Sequence, residues 1–103
     1  MSLWNTLFGG GARAERVSGQ KARALVSEGA TLLDVRSSAE YSGGHIEGAI
    51  NIPHSQVGRR LSEVPDGPVV VYCRSGARSA AAGRTLVKAG REAIYDLGGM
   101  SSW

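Results

Sequence analysis

The chain holds a single cysteine, Cys73, and its neighbours decide what that thiol can do. It opens the run Cys73-Arg74-Ser75-Gly76-Ala77-Arg78, followed by Ser79. An apolar run precedes it and an alanine-rich helical pattern follows, so the segment links a strand to a helix. Gly76 permits a backbone conformation that other residues resist. If the loop curls around Cys73, its N–H groups converge on the sulfur as an anion nest, and the helix start adds partial positive charge. Arg74 and Arg78 add full charges beside it. Each of these favours thiolate over thiol. Free cysteine titrates near ~8.5, and surroundings of this kind bring it to roughly 3.5–7.5. The competing reading is a small hydrophobe that merely ends a core strand. That suits a cysteine in apolar surroundings, not one followed by arginines and a glycine. Cys73 is therefore the expected nucleophile, and Arg74, Ser75, Gly76, Ala77 and Arg78 the expected binding loop for a small anion. Arg78 has a guanidinium suited either to loop carbonyls or to the anion itself.

Such a loop needs rigid support, and the surrounding pattern supplies it. Ser18 reads as the cap of a helix through about Glu28, with Ala22, Leu25 and Val26 inward and Gly29 as its stop. Residues 31–35 (TLLDV) read as a strand, and residues 37–41 as one helical turn capped by Ser37 or Ser38 with Glu40 near its start. Residues 49–52 (AINI) form a second strand, stopped by Pro53. A short helix over 54–61 and a turn at Pro65-Asp66-Gly67 follow. Residues 69–72 (VVVY) are apolar throughout, as a central parallel strand covered on both faces should be. A helix over 79–89 closes at Gly90, a last strand spans 94–97, and Gly98-Gly99 makes a turn. Strands alternating with helices give a parallel α/β sheet, whose ligand sites lie at the carboxyl ends of its strands. Asp34 to Arg36 and Cys73 to Arg78 each follow a strand directly, so both reach that edge.

Composition narrows the class. At 103 residues, the chain suits one domain with one core. A hydrophobic content of 42% is ordinary for a globular protein. The net charge of +3 fits small anionic substrates and is too weak to argue for nucleic acid without a basic stripe or binding motif. No apolar run is long enough to span a membrane. Residues 1–11 lack a charged region followed by a continuous apolar stretch, so no secretory signal is expected. A lone cysteine forms no intramolecular disulfide, which fits a reducing, cytoplasmic setting. Residues 1–16 read as an arm. Leu3, Trp4, Leu7 and Phe8 share one face of a short helix, broken at Gly9-Gly10-Gly11. Capping the domain is the plainer reading of that face, and docking to a partner or a membrane surface the sharper one. Arg13, Arg16, Lys21 and Arg23 read as a solvated face. His45, His54 and Cys73 are too scattered for a metal-ligand pattern.

Three segments together resemble the single-domain rhodanese homology proteins. They are residues 32–53 (LLDVRSSAEYSGGHIEGAINIP), 69–79 (VVVYCRSGARS) and 95–103 (YDLGGMSSW), within a match over 17–103. The resemblance implies a parallel sheet of about five strands with helices on both faces. It also implies a sulfurtransferase without a cofactor. Cys73 would take the outer sulfur of a donor such as thiosulfate as a persulfide, and pass it to cyanide, a thiol or a carrier protein. The loop from Cys73 to Arg78 has six residues, which matches the sulfur-handling members. The related cell-cycle phosphatases and arsenate reductases carry a loop one residue longer. Asp34 and Arg36 match the family's DVR element, with Arg36 expected to pair with Glu40 and tie the loops around the pocket. His45 matches the GHIxGA element and is expected to brace its loop by hydrogen bonds, and His54 to lie at the surface. Many relatives continue past the GGxxxW element with a further helix, so the end of the core is expected to be covered by a shortened last helix or by the arm. A binding or scaffold module of the same fold is the rival reading. The cysteine speaks against it, since a scaffold does not need one.

Overall fold

The computed structural model describes residues 13–103. The helix expected at Leu3 to Phe8 lies outside the described residues. Five strands form one sheet: β1 (Glu15–Arg16), β2 (Thr31–Asp34), β3 (Ile50–Asn51), β4 (Val69–Cys73) and β5 (Ile94–Gly99). The order across the sheet is β1-β5-β4-β2-β3 and every pairing is parallel. Among the described residues three α-helices accompany it: α1 (Gly19–Ser27), α2 (Ser38–Ser42) and α3 (Ala77–Lys88).

The strand period of two sorts the core into two layers. Leu33, Val69, Val71, Cys73 and Ile94 face one way and meet Ala82 and Leu86 of α3. Val57 and Val64 complete that layer. Leu32, Val70, Tyr72 and Leu97 face the other way and meet Ala22 of α1, with Ile46 and Ala49 beside them. β4 lies at the centre of the sheet and all its residues are buried, as its unbroken apolar run requires. Helices thus cover both faces.

Local chemistry explains the helix starts. Ser18 Oγ accepts from the Lys21 N–H at 3.1 Å and opens α1. Ser37 and Glu40 form a reciprocal capping box at α2. The helix expected over 54–61 is two 3₁₀ segments, His54–Arg59 and Leu61–Glu63. α3 begins at Ala77, two residues before the expected start at Ser79, because Gly76 caps it in a left-handed conformation (φ 114°).

Two elements differ from expectation. β1 falls in the segment read as an arm, and it pairs Glu15 with Tyr95 and Arg16 with Asp96. Gly98 and Gly99, read as a turn, are the last residues of β5. The β4–β5 register shifts there: Val71 pairs with Asp96 but Tyr72 pairs with Gly98. Asp96 Oδ1 accepts from the Gly98 N–H at 2.8 Å and shapes this bulge, with Gly98 at φ 83°. At its end, Met100–Ser102 forms one 3₁₀ turn, and Met100 and Trp103 pack against the Ala22 layer. Among the described residues no helix is long and apolar enough to cross a membrane.

Leu86 is fully buried between α3 and the sheet. Leu86→Ala should lower the unfolding free energy by about 2–5 kcal/mol, read as a fall in the urea midpoint.

Candidate active site

Cys73 ends the buried β4, and none of its surface is exposed. Arg74 and Ser75, both exposed, form a rim above it. The chain then turns through Gly76 into α3, so only three residues separate strand from helix. The Gly76 N–H donates to Cys73 Sγ at 2.9 Å. Burial pushes the Cys73 thiol up, but hydrogen bonds to Sγ from the backbone and side chain of Ser79 and the backbones of Gly76 and Ser75 outweigh it. The thiol therefore lies below its ordinary value. Ser79 is fully buried, and its hydroxyl proton has two acceptors within reach, Sγ and the Gly76 carbonyl at 2.9 Å. The positive end of α3 adds to this cradle.

β5 sets the height of the loop. An ideal Cβ at Gly99 would stand 2.9 Å from the Arg74 carbonyl oxygen, and one at Gly76 3.8 Å from Gly98 Cα. The loop backbone is thus seated directly on the glycine pair of β5.

A second group of side chains anchors the end of β2. Arg36 forks onto Asp34, with Nε 3.0 Å and Nη2 2.7 Å from Oδ2. The Arg36 N–H donates to Asp34 Oδ1 at 2.9 Å, and Nη2 also donates to the Gly44 carbonyl at 2.7 Å. Asp34 is fully buried and Arg36 is 7% exposed, so this is an interior ion pair. The Arg36 guanidinium lies 5.9 Å from the centre of the Tyr72 ring. The Tyr72 hydroxyl accepts from the Ile46 N–H at 3.1 Å and also bonds to Asp34. Burial, the leading cause, and the Asp34 carboxylate push the Tyr72 phenol far above its usual value, so it stays protonated as a donor.

The expected Arg36–Glu40 pair is not formed. Glu40 pairs instead with Arg78, with Nη1–Oε1 at 2.6 Å and Nη2–Oε2 at 3.0 Å. A carboxylate as buried as Asp34 needs a charge partner, and the nearest guanidinium is two residues on. Glu40, in the first turn of α2, faces the reactive loop. Arg78, followed by the Ser37 backbone, holds the Glu40 carboxyl far below the usual carboxylate range.

A cleft of about 660 Å³ opens beside the loop. Arg36, Ala39, Glu40, Gly43 and Gly44 line one side, and Arg74, Met100 and Ser101 the other. The structure therefore gathers Cys73, Arg74, Arg78, Asp34, Arg36 and Glu40 at the carboxyl edge of the sheet. His45 is exposed and stands to one side, stacked on Tyr41 at 3.7 Å, with Nδ1 2.9 Å from the Tyr41 carbonyl oxygen. His54 is also exposed. Among the described residues no group of three or more His, Cys, Asp and Glu could hold a metal ion.

Sequence reasoning missed four contributors. Ser79 was read only as a helix start and Tyr72 only as strand filling. Asn51 Nδ2 donates to the Asp34 and Arg36 carbonyls, both at 3.0 Å, and fixes the chain after β2. Met100, which has no separate role in the sequence pattern, is a wall of the cleft. A polar residue inside a buried strand was the available signal for Tyr72. The others depend on contacts distant in sequence.

The sequence profile of the family described as "Rhodanese-like domain" matches residues 18–103. An uncharacterized protein of Bacillus subtilis, YqhL, is 49% identical over 76 residues, spanning 72% of this chain and 60% of that protein. A thiosulfate sulfurtransferase of Pseudomonas entomophila, GlpE, is 34% identical over 91 residues, spanning 86% of this chain and 84% of that protein. Among solved structures, reduced CoADR-RHD of Bacillus anthracis superposes with a TM-score of 0.75 at 33% identity. That match spans 93% of this chain and 17% of the larger one. Fold, loop and sequence thus agree, and the chain belongs to the rhodanese-like domain family.

Proposed function

We propose that the protein is a sulfurtransferase that carries sulfur as a persulfide on Cys73. The observation that carries this reading is the Cys73 sulfur itself. It receives hydrogen bonds from its own loop and from the start of α3, and its acidity is raised accordingly. Nucleophilic attack on a sulfane sulfur needs a thiolate and no general base. The sulfurtransferase name carried by the Pseudomonas relative supports the same chemistry.

In the first half-reaction the Cys73 thiolate attacks the outer sulfur of thiosulfate or of a persulfide. A new S–S bond forms, the donor's S–S bond breaks, and sulfite or a thiolate leaves with the bonding pair. The charge then rests on the outer sulfur of the Cys73 persulfide, near the amides that held the thiolate. In the second half-reaction an acceptor nucleophile (cyanide, a thiol or a carrier protein) attacks that outer sulfur. Cys73 departs as thiolate, and the resting state returns. The thiol is covered at rest, so the Arg74–Ser75 rim must shift for the donor to reach it. The cleft beside the rim gives the body of a donor or acceptor a place to lie. A reducing cytoplasm, which keeps the single cysteine as a thiol between turnovers, is the setting this chemistry needs.

Intact-mass analysis after incubation with thiosulfate tests the proposal. Wild type should gain one sulfur atom, cyanide should remove it, and Cys73→Ser should gain none. A folded, reduced protein that takes no sulfur from thiosulfate or from cysteine persulfide refutes the reading.

A second expectation concerns pH. A thiol held below its ordinary value is ionised at lower pH than free cysteine. The rate of alkylation by iodoacetamide should therefore reach half its plateau below the midpoint of a cysteine peptide. Ser79→Ala removes one donor to Sγ and should move that midpoint upward. A midpoint unchanged by the substitution would mean that the hydroxyl bonds only the Gly76 carbonyl.

A further inference from the structure

The site looks strongly cationic in sequence, yet two of its three arginines, Arg36 and Arg78, are already paired in the fold. Arg36 is paired with Asp34. Arg78 is clamped on both nitrogens by Glu40, whose Oε1 also accepts from the Ser37 N–H at 3.1 Å and the Ser37 hydroxyl at 3.0 Å. Glu40 is thus held in place from two sides, at the start of α2 and at the loop. Arg74 is exposed, lines the cleft, and has no ion-pair partner among the described residues. Arg16 lies against Gly98 and does not line the cleft.

Counting charges in the loop, the cleft beside it and the residues paired with them gives two neutral pairs, one cation without an ion-pair partner among the described residues, and the Cys73 thiolate. That balance matters because candidate donors differ in charge. Thiosulfate is a dianion, whereas an ionised alkyl persulfide carries one negative charge. The field of the site acts on the dianion twice as strongly. With Arg78 paired, one cation at the cleft and one thiolate in the loop leave the site without net positive charge, so it offers a dianion little net attraction. A free Arg78 would tip the field toward it.

We propose that Glu40 is a specificity residue: by clamping Arg78 it leaves Arg74 as the cation that meets the donor, and it biases the site toward singly charged persulfides over thiosulfate. In its donor consequence this rests on the sulfurtransferase reading. The electrostatic claim does not, and can be read on the thiol alone.

Iodoacetate and iodoacetamide alkylate a thiolate by the same chemistry and differ by one negative charge. The ratio of their rates at Cys73 therefore reports the field at the sulfur, with changes in thiol ionisation divided out. Glu40→Gln keeps an acceptor for Ser37 and removes the charge. It should raise the iodoacetate-to-iodoacetamide ratio about three- to tenfold at low salt. Arg74→Gln should lower the ratio by a similar factor. The double variant Glu40→Gln, Arg78→Gln removes a neutral pair and should return it to within about twofold of wild type. Glu28→Gln, beyond α1 at the opposite edge of the sheet, is the control and should leave it unchanged. With donors, Glu40→Gln should raise the rate of sulfur loading from thiosulfate relative to cysteine persulfide by the same factor as the alkylation ratio.

An unchanged alkylation ratio in folded Glu40→Gln overturns the proposal. If that variant does not fold, Arg74→Gln decides, because an unchanged ratio there means that Arg74 is not the cation an anion meets. A shifted alkylation ratio with an unshifted donor ratio overturns the specificity claim. Failure of the sulfurtransferase reading shows separately, as wild type that takes no sulfur from either donor.

Discussion

A thiol ends a fully buried strand, and the polar groups around it favour its ionised form. β4 is covered on both faces and delivers Cys73 into surroundings where an isolated ion is costly. Burial alone would hold the thiol neutral and unreactive. Donors fixed by the fold outweigh that penalty and bring the thiol below its ordinary value: the Gly76 and Ser75 amides, and Ser79 within α3. They are oriented by the fold itself, so an ionised sulfur asks little reorganisation of its surroundings. The helix start, the glycine cap and the short loop are all conditions for placing those donors within reach of one sulfur.

The second requirement is that the loop backbone keep its place while the Arg74 and Ser75 side chains move aside. Two interactions from opposite sides of the pocket meet it. β5 presents Gly99 where any side chain would push against the Arg74 carbonyl, so the loop rests on backbone. α2 reaches across with Glu40 and holds the Arg78 guanidinium. Behind these, the Asp34–Arg36 pair and the Tyr72 hydroxyl tie β2, β4 and the segment around Gly44 and Ile46 together. Removing one partner of a buried pair of this kind costs about 3–5 kcal/mol, since the other charge is left uncompensated. Such a network rigidifies the floor of the site, a structural task distinct from touching the donor.

How far the sequence disclosed this arrangement depended on the range of each contact. The reactive loop was readable because its determinants lie within seven residues, Cys73 to Ser79, and each has a local physical meaning. The sheet was readable from runs such as residues 69–72. The ion pairs were not. Arg36 and Glu40 are four apart, which invites a helical pairing, but α2 begins only at Ser38. The true partner of Glu40 is thirty-eight residues away, and no spacing rule reaches that far. β1 was overlooked because Glu15 and Arg16 are both charged and exposed, and only pairing to β5 makes them a strand. Gly98-Gly99 reads as a turn in isolation and becomes a strand end when a neighbouring loop leans on it.

The two borders of the sheet are alike in brevity. Each outer strand is two residues long. One border carries Glu15 and Arg16, charged side chains that repel a register of like neighbours. At the other, Asn51 turns its amide back onto the Asp34 and Arg36 carbonyls, and Ile50 is 37% exposed beside it. A foreign β-strand would find only a short row of backbone groups at either place. The sheet is therefore closed to edgewise growth among the described residues, and its flanks are poor templates for aggregation.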